Sequence, residues 1–354
     1  MKKFDFVIGN PPYQETAEGT SDKPIYNYFM DAAYEISDRV EMISPARFLF
    51  NAGKTPKDWN EKMLKDPHFK VQYYEQVSGK VFSGTDIKGG VAITYHDNFK
   101  DFGAIEVFSH FEELRSIRKK VVSRNDFRPL SDLVFAPESY KFTEQVHIDY
   151  PYIRYKEGEN PGILSKGHDF DIVTNIFSKL PMVFLDNKPN DNDEYGCFVG
   201  LIGNKRYFKW VKKKYIRTHP NFEKYKIILP KSNGSGALGE VLSTPLIGEP
   251  LIGEPLIGHT QTFISIGAFN TEQEANAAIK YIKTKFARAM LGVLKITQDN
   301  KKDTWRFVPV QDFTSISDID WAKSITEIDQ QFYRKYGLSE DEVNFIETHV
   351  QEMK

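Results

Sequence analysis

The chain has 354 residues, 40% of them hydrophobic and 14% aromatic, enough to bury a sizeable core in one large domain or two, which excludes a disordered polypeptide. Its formal net charge of -2 announces no polyanion partner, so any nucleic-acid surface has to come from local clustering of its 47 lysines and arginines. A single cysteine, Cys197, excludes an internal disulfide and a cysteine-rich zinc site, and it fits a reducing compartment, the cytoplasm.

Met1-Lys2-Lys3 imitates the basic end of a signal peptide, but the apolar run behind it is only Phe4 to Ile8, with Asp5 inside it. No stretch approaches the roughly 20 apolar residues that cross a bilayer, so no membrane association is expected. Phe4 to Gly9 reads instead as a buried strand of a parallel sheet, closed by glycine and prolines. After a loop, Tyr26, Phe29, Met30, Ala33, Tyr34 and Ile36 fall at helical spacing. Val40 to Ile43 makes a second strand, Lys57 to Leu64 a helix, Val71 to Val77 a third strand and Gly89 to Tyr95 a fourth. Strands alternating with helices define half of a doubly wound α/β domain.

A charged helix, Phe111 to Val122, changes the pattern, and a boundary is placed after residue 125. Residues 126–354 read as a mixed α+β domain. Met182 to Leu185, Lys226 to Leu229 and Thr262 to Ile266 are strand-like, one long helix runs from Glu272 to Leu294, and helices follow Ser324 and Ser339. Ser339-Glu340-Asp341-Glu342 has the form of a capped helix start. Pro245-Leu246-Ile247-Gly248-Glu249 recurs as Pro250 to Glu254 and, incompletely, as Pro255 to Gly258. With proline and glycine in every copy, the repeat reads as an extended or turning surface loop, a tandem duplication whose copy number sets loop length.

Asn10-Pro11-Pro12-Tyr13 follows the first strand directly, at the carboxyl edge where open α/β sheets bind their ligands. An exocyclic amine is a poor nucleophile because its lone pair is delocalised into the ring. Methylating it needs two acceptors that bond both amine hydrogens and hold the nitrogen in line with an incoming methyl group. Asn10 offers a side-chain carbonyl and Pro11 a backbone carbonyl. The two prolines stiffen the turn and remove competing N–H donors, and Tyr13 offers a face for a base rotated out of the duplex. Read alone, the tetrapeptide is also a rigid turn with a tyrosine packed on its rim.

With Asp5 to Gly9 before it, this segment resembles the N6-adenine DNA methyltransferases of bacterial restriction-modification systems, of the type IIG-like restriction-methylation kind. Glutamine-modifying protein methyltransferases share the four residues. Tyr26 to Tyr34, Glu41 to Leu49 and Gln76 to Tyr95 also resemble the DNA-modifying family, as do Phe263 to Gly267, Tyr281 to Phe286, Lys295 to Gln298 and Phe307 to Phe313 towards the far end. The resemblance implies a partial class I methyltransferase (Rossmann-like) sheet in residues 1–125 and a DNA target-recognition domain with C-terminal helices in 126–354. It also implies S-adenosylmethionine as methyl donor, double-stranded DNA with a flipped adenine as substrate, and Asn10, Pro11, Pro12 and Tyr13 as the catalytic turn. The family's cofactor strand and glycine-rich turn would precede Asn10, and only nine residues do. Ser232 to Gly239 is glycine-rich but lacks a following acidic strand, and reads as a loop of the recognition domain. The expectation is therefore half an active site, whose first strand is an open edge and whose cofactor half comes from a partner chain or a missing segment. Alternatives are an inactive DNA-binding remnant or specificity subunit and a protein glutamine methyltransferase.

Lys205, Arg206, Lys209, Lys212, Lys213, Lys214 and Arg217 lie among aromatic and apolar residues in a run with no acid, which suits phosphate contacts, or else a solvated hairpin face. The histidines show no metal-ligand spacing, so no metal is expected.

Overall fold

The computed structural model describes residues 3–15, 23–51, 53–87, 89–109, 111–158, 162–233, 238, 246–295 and 298–353. Most of the glycine-rich stretch after Ser232, the repeat's first proline and Ile296-Thr297 lie outside these. The chain divides into two compact units, Met1–Glu112 and Glu113–Lys354.

The first unit contains β1 (Val7–Gly9), β2 (Gln14–Glu15), β3 (Lys23–Pro24), α1 (Tyr26–Ile36), β4 (Arg39–Pro45), α2 (Lys57–Lys65), β5 (Phe69–Glu75) and β6 (Val91–Asp97). Its main sheet has the order β1-β4-β6-β5. β1 is parallel to β4, with Val7 opposite Val40, whereas β6 runs antiparallel to both β4 and β5. The sheet is thus mixed where the alternation pointed to a parallel one. Apolar runs mark strands but not their direction. β5 and β6 are joined through residues 76–90 with no α-helix among the described residues between them, and a direct connection favours antiparallel neighbours.

α1 and α2 present Tyr26, Met30 and Ala33, and Trp59 and Met63, to a core shared with Val40, Met42, Phe48 and Phe69. Trp59 Nε1 donates to Asp31 at 3.0 Å and ties the two helices together. β1 is the sheet's edge, and Phe4, Phe6 and Ile8 are 48%, 43% and 73% exposed. The run read as a buried strand is therefore open on its outer side.

The second unit begins inside α3 (Glu112–Val122), one residue past its start, and the helix buries Leu114, Ile117 and Val121. Lys120 on α3 pairs with Glu342 near the chain's end at 2.7 Å. The sequence placed this helix before the boundary, at 125. Its apolar stripe does not reveal which core it enters, and it enters the second.

There follow β7 (Val134–Phe135), α4 (Gln145–Asp149), α5 (Ile176–Lys179), β8 (Tyr195–Ile202), β9 (Lys205–Lys212), β10 (Tyr225–Pro230), β11 (Leu251–Gly253), β12 (Ile257–His259) and β13 (Phe263–Phe269). They form two sheets, β11-β10-β13-β7 and β12-β8-β9. Met182 to Leu185 is a turn and not a strand. Val183 and Phe184 are buried there, and Leu185 bridges Trp210.

The repeat is not a surface loop. Leu246 and Ile247 of the first copy are buried. The second copy supplies β11, antiparallel to β10, and the third supplies β12, parallel to β8, so consecutive copies add an edge strand to different sheets. The glycines explain how. A Cβ on Gly253 would lie 2.8 Å from Ile228, and one on Gly258 2.6 Å from the Phe198 ring. Proline at the start of an edge strand is tolerated because its missing N–H faces away from the ladder.

Four helices complete the unit: α6 (Glu272–Lys283), α7 (Lys285–Gly292), α8 (Ile325–Lys335) and α9 (Glu340–His349). The single helix expected over 272–294 breaks at Thr284, whose extended backbone ends α6 and starts α7. Thr284 Oγ1 accepts from the Ala287 N–H, and the Asp329 carboxylate of α8 accepts from the N–H groups of Lys285 and Phe286. Ser339 forms the expected capping box with Glu342.

Candidate functional site

β1 delivers Asn10-Pro11-Pro12-Tyr13 to its carboxyl end. Pro11 is buried, Asn10 and Pro12 are exposed and Tyr13 is half-buried. The chain then returns through the β2–β3 pair, and the Ile25 N–H donates to the Tyr13 carbonyl at 3.2 Å, fixing the far side of the turn. A cavity of 780 Å³ opens beside it, lined by Asn10, Tyr13, Tyr26, Arg47, Thr55 and Phe82 among others. Its volume lies within the roughly 300–1,000 Å³ of small-molecule sites. Of the four residues singled out by sequence, Asn10 and Tyr13 line the cavity, and the prolines hold the backbone between them.

The Tyr13 ring meets Phe82 edge-on, with centroids 6.5 Å apart. Its hydroxyl is buried without a hydrogen-bond partner among the described residues, and burial raises its pKa. It therefore stays protonated, a donor with no acceptor. Burial also pushes the Tyr26 hydroxyl up to about 12, against the opposing pull of Thr55 and of the Arg47 charge. Thr55 Oγ1 donates to Asn60 Oδ1 at 2.7 Å, and Asn60 Nδ2 to Asn51 Oδ1 at 3.2 Å, which holds the loop between β4 and α2 against the cavity.

Sequence reasoning missed Arg47 as a site residue. It stands in a short 3-10 turn after β4, anchored by buried Ala46, Phe48 and Leu49, with the Ala46 N–H bonded to the Gly90 carbonyl at 3.0 Å. Gly53 and Gly89, at φ +89° and +86°, flank its side chain. A Cβ on either would lie 3.3 or 2.7 Å from Arg47 carbons. The slot joins the turn that ends near Gly53 to the distant Gly89 and Gly90, so no local spacing signals it.

The basic run lies on β9 and the turn after it, and acids from elsewhere meet most of it. Lys209 pairs with Asp186 and Lys212 with Asp193. Lys213 lies 2.7 Å from Glu223 and Lys214 2.9 Å from Asp149. Arg206 Nη2 donates to the Glu249 carbonyl, and Arg217 Nε to the Phe142 carbonyl at 2.7 Å. The Lys214 ammonium, the Tyr215 hydroxyl and the Gln145 amide hold Asp149 down at about 2. Lys205 is exposed on the strand. A run without acids in sequence is thus largely neutralised in space by acids of its own unit.

Residues 1–82, which carry the turn, match the model of the Eco57I restriction-modification methylase family. Among individual proteins, an uncharacterized adenine-specific methylase of Mycoplasma pneumoniae is 30% identical over 96 residues, 26% of this chain and 23% of that protein. The type IIG restriction endonuclease BpuSI superposes with a TM-score of 0.34 at 9% identity, over 93% of this chain and 48% of its own. The type IIL restriction-modification enzyme MmeI, solved in complex with DNA, superposes with a TM-score of 0.43 at 10% identity, over 98% and 56%. The chain thus spans under a quarter of the matched methylase and about half of each solved enzyme.

Proposed function

We propose that this chain holds and presents adenine for methylation at its exocyclic N6 amine in DNA, within a restriction-modification methyltransferase. The observation that carries the reading is the placement of Asn10-Pro11-Pro12-Tyr13 at the carboxyl end of β1, beside a cavity of ligand size. The parallel β1-α1-β4 unit supports its assignment to half of a class I methyltransferase sheet. The match of residues 1–82 supports the chemistry, and the matched methylase's adenine specificity supports the substrate.

In this reading Asn10 Oδ1 and the Pro11 carbonyl accept the two amine hydrogens and turn the nitrogen lone pair away from the ring. Tyr13 and Phe82 give the extruded base an aromatic wall, and burial of Tyr13 excludes water. S-adenosylmethionine supplies the methyl group as an electrophile when bound. The cavity lining offers Asp86 as its one acid among the described residues, with no glycine-rich turn after a strand. The described lining therefore fits the base and not the cofactor, so no residue here is assigned to S-adenosylmethionine. A polypeptide segment pairing with the open edge of β1 supplies that half, and the second unit serves target recognition.

The test is transfer of labelled methyl from S-adenosylmethionine to DNA, with the chain alone and together with the protein encoded immediately upstream. Transfer to DNA that Asn10→Ala lowers by about 10²–10³-fold supports the reading. Transfer to protein glutamine, or transfer to DNA insensitive to Asn10→Ala, overturns it.

A further inference from the structure

The cavity beside Asn10 holds a cation that the amine-holding chemistry does not use. Arg47 makes no ion pair among the described residues, unlike the cations of β9. Its surroundings are built to carry it. The 3-10 turn is pinned through Ala46 to Gly90, Asn51 closes that turn in the left-handed region at φ 51°, Gly89 leaves room only for hydrogen beside the arginine stem, and Gly53 packs closely against its Cβ. A guanidinium held by its stem loses little freedom on binding, and its planar fork suits phosphate oxygens. A base lodged against Tyr13 brings its own sugar phosphates to the cavity mouth, because a nucleotide cannot leave them behind. With Lys54 and Asp86 also on the lining, the formal charge there is positive by one.

Resting on the base-holding reading, we infer that Arg47 is a phosphate-binding residue that seats the backbone of the extruded adenine nucleotide, and so positions its base against Asn10 and Tyr13. It acts through nucleotide placement and not on the reacting amine.

The experiment measures binding of deoxyadenosine and of its 3′- and 5′-monophosphates to the full chain by ligand-observed NMR, for the wild type, Arg47→Met and Arg47→Lys. The readout is the ratio of nucleotide to nucleoside affinity within each protein, which factors out differences in folding. One phosphate position is expected to gain about 10-fold in the wild type, a gain reduced to within about 2-fold in Arg47→Met and largely kept in Arg47→Lys. A wild-type ratio of one at both positions, or a gain that survives Arg47→Met, overturns the role of Arg47 while deoxyadenosine binding keeps the base site standing. Failure of deoxyadenosine itself to bind, or binding indifferent to Asn10→Ala, overturns the base site and this inference with it. If Arg47→Met instead lowers binding of S-adenosylmethionine and leaves the nucleotide ratio unchanged, the anion is the cofactor's carboxylate and the inference fails.

Discussion

Tyr13 carries a buried hydroxyl with no partner among the described residues, beside an open cavity, and leaving such a group unsatisfied costs about 1–3 kcal/mol. Replacing it with Phe is therefore expected to stabilise the ligand-free protein by about 1 kcal/mol in urea unfolding. Tyr13→Ala should weaken base binding by about 1–3 kcal/mol through lost stacking. An unchanged unfolding midpoint in Tyr13→Phe would show that the hydroxyl is already satisfied. His259 presents a different balance. It is fully buried, with Nδ1 against the Thr260 carbonyl at 3.0 Å and Nε2 against Ser265 Oγ at 3.1 Å. The carbonyl can only accept, so Nδ1 bears the proton and Nε2 accepts from the serine. Burial pulls its pKa down from 6.5 to about 3. Between those values the unfolded chain binds a proton that the folded chain refuses. The stability contributed by neutral His259 is then complete above pH 6.5 and lost as pH falls towards 3. Thermal melts of His259→Gln across that window should show a shallower acid slope than the wild type, and an unchanged slope would assign it to other groups.

At the scale of elements, the repeat shows how a local rule can be right and its conclusion wrong. Proline and glycine in every copy do exclude helix and central strand, but they permit an edge, and the third dimension supplies two edges for the copies to cover. Lys226 fastens them. It is fully buried, and its Nζ donates to the carbonyls of Phe222, Glu254 and Ile257 at 3.2, 3.1 and 2.8 Å, the last two belonging to the second and third copies. Were the repeat a free loop, losing one copy would cost little, because closure entropy changes by only about 0.6 kcal/mol for each doubling of length. As edge strands with their own buried partner, deletion of Pro250–Glu254 should cost on the order of 3 kcal/mol or more. Denaturant unfolding of the deletion variant decides between these values. The break at Thr284 was hidden for a related reason. Apolar residues keep their period through α6 and α7 because both helices face one core, and the cap that interrupts them comes partly from Asp329, a residue far along the chain. Caps made of neighbours, as at Ser339 and Glu342, are legible in sequence, whereas caps borrowed from another helix are not.

Over the whole molecule, the order of strands and helices in the first unit was legible because each element carries its own periodicity, and the turn at Asn10 to Tyr13 because its four residues are contiguous. Strand direction, the limit between the units at Glu112 and Glu113 and the Arg47 slot depend on which distant segments meet, and one-dimensional patterning does not record that. The same distinction governs the exposed edge. A short strand with unpaired backbone groups, flanked by Phe4, Phe6 and a 73% exposed Ile8, is a template for another strand. Folded proteins ordinarily blunt such edges with charge, and from Phe4 to Gly9 only the exposed Asp5 carries one. The purified chain is therefore expected to associate with itself in a concentration-dependent way, or to pair with whatever polypeptide completes the sheet. Ile8→Lys places a charge on the edge at a largely exposed position, so it should reduce association in sedimentation velocity without lowering the melting temperature. If the wild type stays monomeric throughout and Ile8→Lys leaves co-purification with the upstream-encoded protein intact, β1 is not a joining edge.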